Sequence, residues 1–220
     1  MKKPLLVTCL FFLSGLVTFA QTTKPIGRAT YLKVNPATLI NELDISLEQE
    51  LTEKISLELG ISGIYTDYPD YILAKKVDIG QKKPDISTEQ FVDARGLGFR
   101  AGMRWYIFST RDGLSRVMGT YFQPVLFYKK VFYPNQEVTI NNTAYKESGD
   151  KNVFGLQLLL GRQIQKDKLV LDPFIGIGVR TKIYHYQNFD PENGTVQINN
   201  GRLVSILPSL QIGIKLGFKM

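Results

Sequence analysis

The 220-residue chain holds a single cysteine, a single histidine and a single tryptophan. Cys9 lies inside the N-terminal stretch "MKKPLLVTCLFFLSGLVTFAQ", so residues 21–220 have no disulfide, no thiol nucleophile and no cysteine-based metal site. With His185 alone and no clustered carboxylates, the sequence argues against a transition-metal centre, and no cofactor is expected. Long apolar runs are missing too. Beyond the N-terminal stretch Arg, Lys, Glu or Gln interrupts every run well short of the roughly 20 residues a membrane helix needs. Helical periodicity of useful length is absent. If such a chain enters a membrane, only a closed β-barrel satisfies its backbone there.

The N-terminus has a basic start at Lys2 and Lys3, an apolar run from Leu5 to about Leu16, and the small residue Ala20 before Gln21. This is the pattern of a secretory signal peptide over residues 1–20, leaving residues 21–220 as one barrel domain. Losing Lys2 and Lys3 lowers the formal charge from +7 to +5. The remaining basic residues are dispersed among acidic ones, so nucleic acid is not an expected partner.

What the chain does have is alternation. In "LGFRAGMRWYIF" the residues Leu97, Phe99, Ala101, Met103, Trp105 and Ile107 occupy one phase, and Arg100 and Arg104 the other. A helix would scatter these residues; a strand sorts them onto an apolar and a polar face. The same rhythm marks eight strands, at about 28–34, 42–51, 55–65, 96–108, 119–131, 153–163, 168–184 and 203–218. Short polar turns, "TEK", "QKDK" and "STRDGLSR", alternate with long polar connections at 66–95, 132–152 and 185–202; "NPATLIN" is the short member of the long set. Antiparallel neighbours taken in order put all the long connections at one end. The expected fold is all-β: an eight-stranded, up-and-down transmembrane barrel, long loops outside the cell and short turns in the periplasm.

A soluble barrel turns its apolar face inward and a membrane barrel turns it outward. Eight strands enclose just enough room for side chains. The polar phase carries Asp44, Glu48 and Glu58 against Arg100, Arg104, Arg180 and Lys215, a set that can pair across a narrow lumen and plug it. Glu58 and Arg104 fall at similar height above the short-turn end. Tyr65, Trp105, Tyr106, Tyr128, Tyr184 and Tyr186 collect near strand ends, where a membrane barrel carries interfacial aromatics. Pro124, Pro173 and Pro208 fall on the apolar phase and are expected at local bulges.

The stretch "YLKVNPATLINELDISLEQELTEKISLELGISGIY", with "FAQ" at the cleavage position and the "GIKLGFKM" ending, resembles the small outer-membrane β-barrel proteins of the Bacteroidetes, porin-family barrels of OmpA and OmpX architecture. The resemblance implies residence in the cell outer membrane, contact with outer-membrane lipid and lipopolysaccharide, and assembly by the barrel-insertion machinery. It carries no catalytic residue. A non-enzymatic barrel that binds a surface ligand through its long loops is the leading functional expectation. The alternatives are a lipid A deacylase or acyltransferase, needing a serine and an acid beside His185, and a secreted lipocalin-like carrier with an apolar pocket. Ser205 is the serine nearest in height, on the opposite phase from His185.

Overall fold

The computed structural model describes residues 29–67, 76–78, 93–109, 118–192 and 195–220; the expected signal peptide lies outside them. Ten strands follow in chain order: β1 (Thr30–Val34), β2 (Glu42–Glu50), β3 (Ile55–Thr66), β4 (Lys76–Asp78), β5 (Asp93–Ser109), β6 (Gly119–Phe132), β7 (Gln136–Ile140), β8 (Thr143–Lys166), β9 (Leu169–Glu192) and β10 (Thr195–Lys219). Eight of them close a ring in the order β1-β2-β3-β5-β6-β8-β9-β10, with β10 returning to β1, and every pairing is antiparallel. The chain is an all-β, up-and-down, eight-stranded barrel.

Local chemistry sets the turns. In "TEK" the Leu51 amide donates to the Ile55 carbonyl at 2.9 Å, and Thr52 Oγ1 accepts from the Ile55 amide at 3.1 Å. Between β8 and β9 Asp167 takes φ 55°, a left-handed conformation that aspartate tolerates. In "NPATLIN" Asn35 caps a 3-10 helix, Pro36–Thr38, by accepting from the Ala37 amide at 3.2 Å.

The wall is uneven. β1 reaches only Leu216 of β10, from Tyr31 opposite Lys219 to Val34 opposite Leu216. Above it the 3-10 helix packs against β10, and β4 pairs with Ser209–Gln211. Three unlike pieces therefore close that side. On the other side β8, β9 and β10 run far beyond the expected limits, and the β9–β10 ladder continues to Thr195 opposite Glu192. The connections expected as long loops at 132–152 and 185–202 are thus largely β-ladder. β7 folds back on the start of β8 through Asn141-Asn142, both at positive φ, as a two-residue type I′ hairpin requires. The third, 66–95, holds β4; most of it lies outside the described residues.

The prolines are placed without bulges of their own. The β5–β6 ladder is interrupted opposite Gln123 and Pro124, and the β8–β9 ladder opposite Asp172 and Pro173. Pro208 pairs with Val179 on one side, and its other side is the β10 edge that β1 never reaches. Each proline sits where no ladder hydrogen bond asks for its missing N–H. The register shifts fall elsewhere, between Ile64 and Thr66 and between Tyr106 and Phe108.

Candidate functional site in the barrel lumen

Alternation puts the apolar phase on the outside of the closed ring. Leu126 is 65%, Ile177 63% and Ile206 69% exposed, whereas Arg104, Glu48 and Asp172 are 0% exposed inside. This is the inverse of a soluble fold, and it makes the lumen, filled with side chains, the place where the chain concentrates its chemistry.

The lower lumen is a belt of ion pairs. In the ladder Arg104 stands opposite Ser56, so its guanidinium reaches the next inward residue of β3, Glu58, and pairs with it. Arg104 Nη1 also lies 2.8 Å from Asp172 Oδ2 and 3.3 Å from Glu48 Oε2. Lys33 Nζ meets the same two acids, 2.9 Å from Asp172 Oδ2 and 2.5 Å from Glu48 Oε2. Lys215 Nζ sits 2.5 Å from Glu58 Oε1, and Arg100 Nη1 2.8 Å from Asp44 Oδ2. These four bases face four acids, so the belt is balanced in charge. Neutral donors complete it: Tyr121 donates to Asp172 Oδ1 at 2.6 Å and Tyr106 to Glu48 Oε1 at 2.9 Å. The Arg104 guanidinium carbon stacks 4.2 Å above the Tyr121 ring. Burying so many charges is favourable only with this degree of mutual satisfaction, and it leaves none poised as a free nucleophile or base.

Higher in the lumen, Lys129 pairs with Glu42, and Lys151 pairs with Asp67 just beyond β3. Burial pushes the Asp67 carboxyl up, but Lys151 beside it and the Tyr133 hydroxyl, which donates at 2.7 Å, outweigh this and hold it below the usual carboxylate range. Ile64, Ala94, Val131, Tyr133 and Tyr184 pack into an apolar cap around this pair. Cavities of about 30 and 50 Å³ lie among these layers. They hold water-sized spaces.

Asp44, Glu48, Glu58, Arg100, Arg104 and Lys215 thus lie together in the belt, and Arg180 lies apart, beside the upper cavity with Lys182. Sequence reasoning left out Lys33 and Asp172, which stand at the centre. Both lie on the inward phase; the shortness of β1 hides the alternation at Lys33, and Asp172 meets its partners only across the closed ring. Tyr65, Trp105 and Tyr128 face outward. Tyr106 and Tyr184 do not: both are buried in the lumen, and Tyr186 shares their inward phase on β9, against Gly201. The correction is one of phase, since Tyr106 shares the inward phase of Arg104, and Tyr184 and Tyr186 that of Lys182.

Ser205 points inward and is buried, whereas His185 is exposed outside, its Nδ1 3.4 Å from Asp150 Oδ2. Ser205 and His185 therefore lie on opposite faces of the wall and do not form a serine–histidine pair. Unlike the carrier's apolar pocket, the interior space among the described residues is lined largely by charged and amide side chains.

Fold and site together define a transmembrane β-barrel of the outer-membrane type with a charge-filled lumen. Among solved structures the chain is similar to Neisserial surface protein A (NspA), at 13% identity and a TM-score of 0.34, over 88% of this chain and 94% of that one. No protein family matches the sequence, and no curated protein does.

Proposed function

We propose that the chain is exported by its first 20 residues, inserted by the barrel-assembly machinery and resident in the cell outer membrane as a non-enzymatic barrel. Its tall β8–β10 end faces the exterior and serves structure and surface binding, and outer-membrane lipid and lipopolysaccharide surround it. One observation carries this reading: the apolar phase of all eight ring strands lies outside while the ion-pair belt lies inside. Water cannot cover so large an apolar band, and lipid can. The belt crosses the lumen, and the cavities beside it among the described residues are water-sized, which supports a plugged barrel over a selective pore.

Membranes washed with sodium carbonate or urea test it. The protein stays in the pellet and runs on a gel as a compact, heat-modifiable band. Release into the soluble fraction contradicts the reading.

A further inference from the structure

The outside of a closed barrel is convex, yet this wall has a hollow. Leu32 of β1, Leu47 of β2, Leu59 of β3, Ala101 of β5, and Leu126 and Tyr128 of β6 line one groove of about 710 Å³ on the lipid-facing side. Ala101 is the floor. In the ladder it stands between Leu59 and Leu126, so one small side chain interrupts a row of leucines. On the inner side of the same wall, Gly60 has no side chain and Arg100 lies across it, which lets β3 sit close to the packed lumen. The groove crosses four strand spacings, about 19 Å at about 4.8 Å each, long enough for an acyl chain.

The groove is also inclined. Leu32, opposite Phe218, is near the short-turn end, whereas Tyr128 is four residues from the last residue of β6, Phe132, at the tall end. Just above Tyr128 the outward phase turns basic. Lys130 stands opposite Leu97, and Arg95 opposite Phe132, which makes Arg95 and Lys130 diagonal neighbours. Arg95 is exposed, and the Lys130 ammonium lies 5.0 Å from the Phe132 ring. Asp93, on the same phase, lies one step further out along β5. Diagonal neighbours on one face are about 7–8 Å apart at Cα, so two long basic side chains can close on a single phosphate.

We infer that Arg95, Lys130 and the groove form a binding site for a phosphate-bearing, acylated glycolipid of the outer leaflet, one acyl chain lying over Ala101 and a phosphate held between the two cations. This rests on the orientation proposed above, with the tall end outside. It adds to that reading a defined lipid position on a wall that otherwise only meets bulk lipid.

The test uses the full chain refolded into phosphatidylcholine nanodiscs, with bound lipid counted by native mass spectrometry. The probes are diphosphoryl lipid A, its dephosphorylated form and phosphatidylglycerol. The unchanged barrel retains one diphosphoryl lipid A in preference to phosphatidylglycerol. Replacing Arg95→Gln and Lys130→Gln together weakens that retention on the order of 30-fold and leaves the dephosphorylated lipid unaffected. Ala101→Trp, with both charges kept, loses both forms; Ala101→Leu serves if the larger residue prevents folding, which heat-modified mobility reports. Equal retention by the groove-filled barrel, or by the charge variant, overturns the site, and a preference for phosphatidylglycerol overturns its assigned occupant. Failure of the parent reading is seen separately, as release by carbonate before any lipid is added.

Discussion

Arg104 Nη1 lies 2.8 Å from Asp172 Oδ2, joining β5 to β9 through the middle of the lumen. Neither residue is its strand partner's neighbour; the contact exists because the ring closes and both side chains are 0% exposed within it. Arg104 also holds Glu58, and Glu58 in turn holds Lys215, so removing any one member leaves charges without counterions.

Arg104→Ala and Glu58→Ala should each destabilise the refolded barrel by about 3–5 kcal/mol, the range for breaking a buried pair. The double substitution should cost less than their sum, because each single change already strands the other partner. Denaturant unfolding in vesicles measures the cycle. Simple additivity contradicts the pairing, and an Arg104→Leu barrel that is more stable in a bilayer contradicts the inward direction of the side chain.

The stretch at 132–152 is a hairpin and not an open loop, so trypsin added to intact cells should not cut at Lys146 or Lys151, where β8 is paired. Asn141 and Asn142 hold φ of 51° and 62°. Asn141→Val forces a β-branched residue into a left-handed position at a cost of about 1–2 kcal/mol and should loosen the hairpin. Cleavage at Lys146 should then appear. Ready cutting of the unchanged protein there contradicts the ladder.

How much of this was legible follows from where the wall meets lipid. From Leu97 to Ile107 one side faces hydrocarbon and the other the lumen, so period two is plain and the strand is read correctly. In "YKESGDKN" the wall has risen above the apolar band and both faces are polar; the alternation fades although the ladder does not, and the sequence pattern starts β8 ten residues late. Nearness to a strand end suggests an interfacial place for Tyr106 and Tyr184, but the phase they share with Arg104 and Lys182 turns both into the lumen. Pairing across the lumen is a further step: Lys33, Asp172 and Arg104 come from strands far apart in sequence, and only ring closure brings them together.

Acid should loosen the upper cap around Asp67. Asp67 has its pKa depressed in the fold, so its contribution is present above the unfolded-state pKa and is lost as the pH falls through the folded value. Amides around Asp67 and Tyr133 should therefore lose protection in acid, measured against their intrinsic exchange rates at each pH, and Asp67→Asn should remove most of that pH dependence. Hydrogen exchange measures it. Identical pH profiles for the two proteins contradict the assignment to Asp67.

The central claim, that the apolar phase faces lipid and the charged phase fills the lumen, is tested most directly at Trp105. It is the chain's only tryptophan, it is 38% exposed on the outward phase, and it adjoins Arg104 and Tyr106, both buried inside. In vesicles made with acyl-chain-brominated lipid, its fluorescence should be strongly quenched and shifted to the blue, while aqueous iodide leaves it unchanged. Quenching by iodide with no response to bromine would place Trp105 in water and contradict the account.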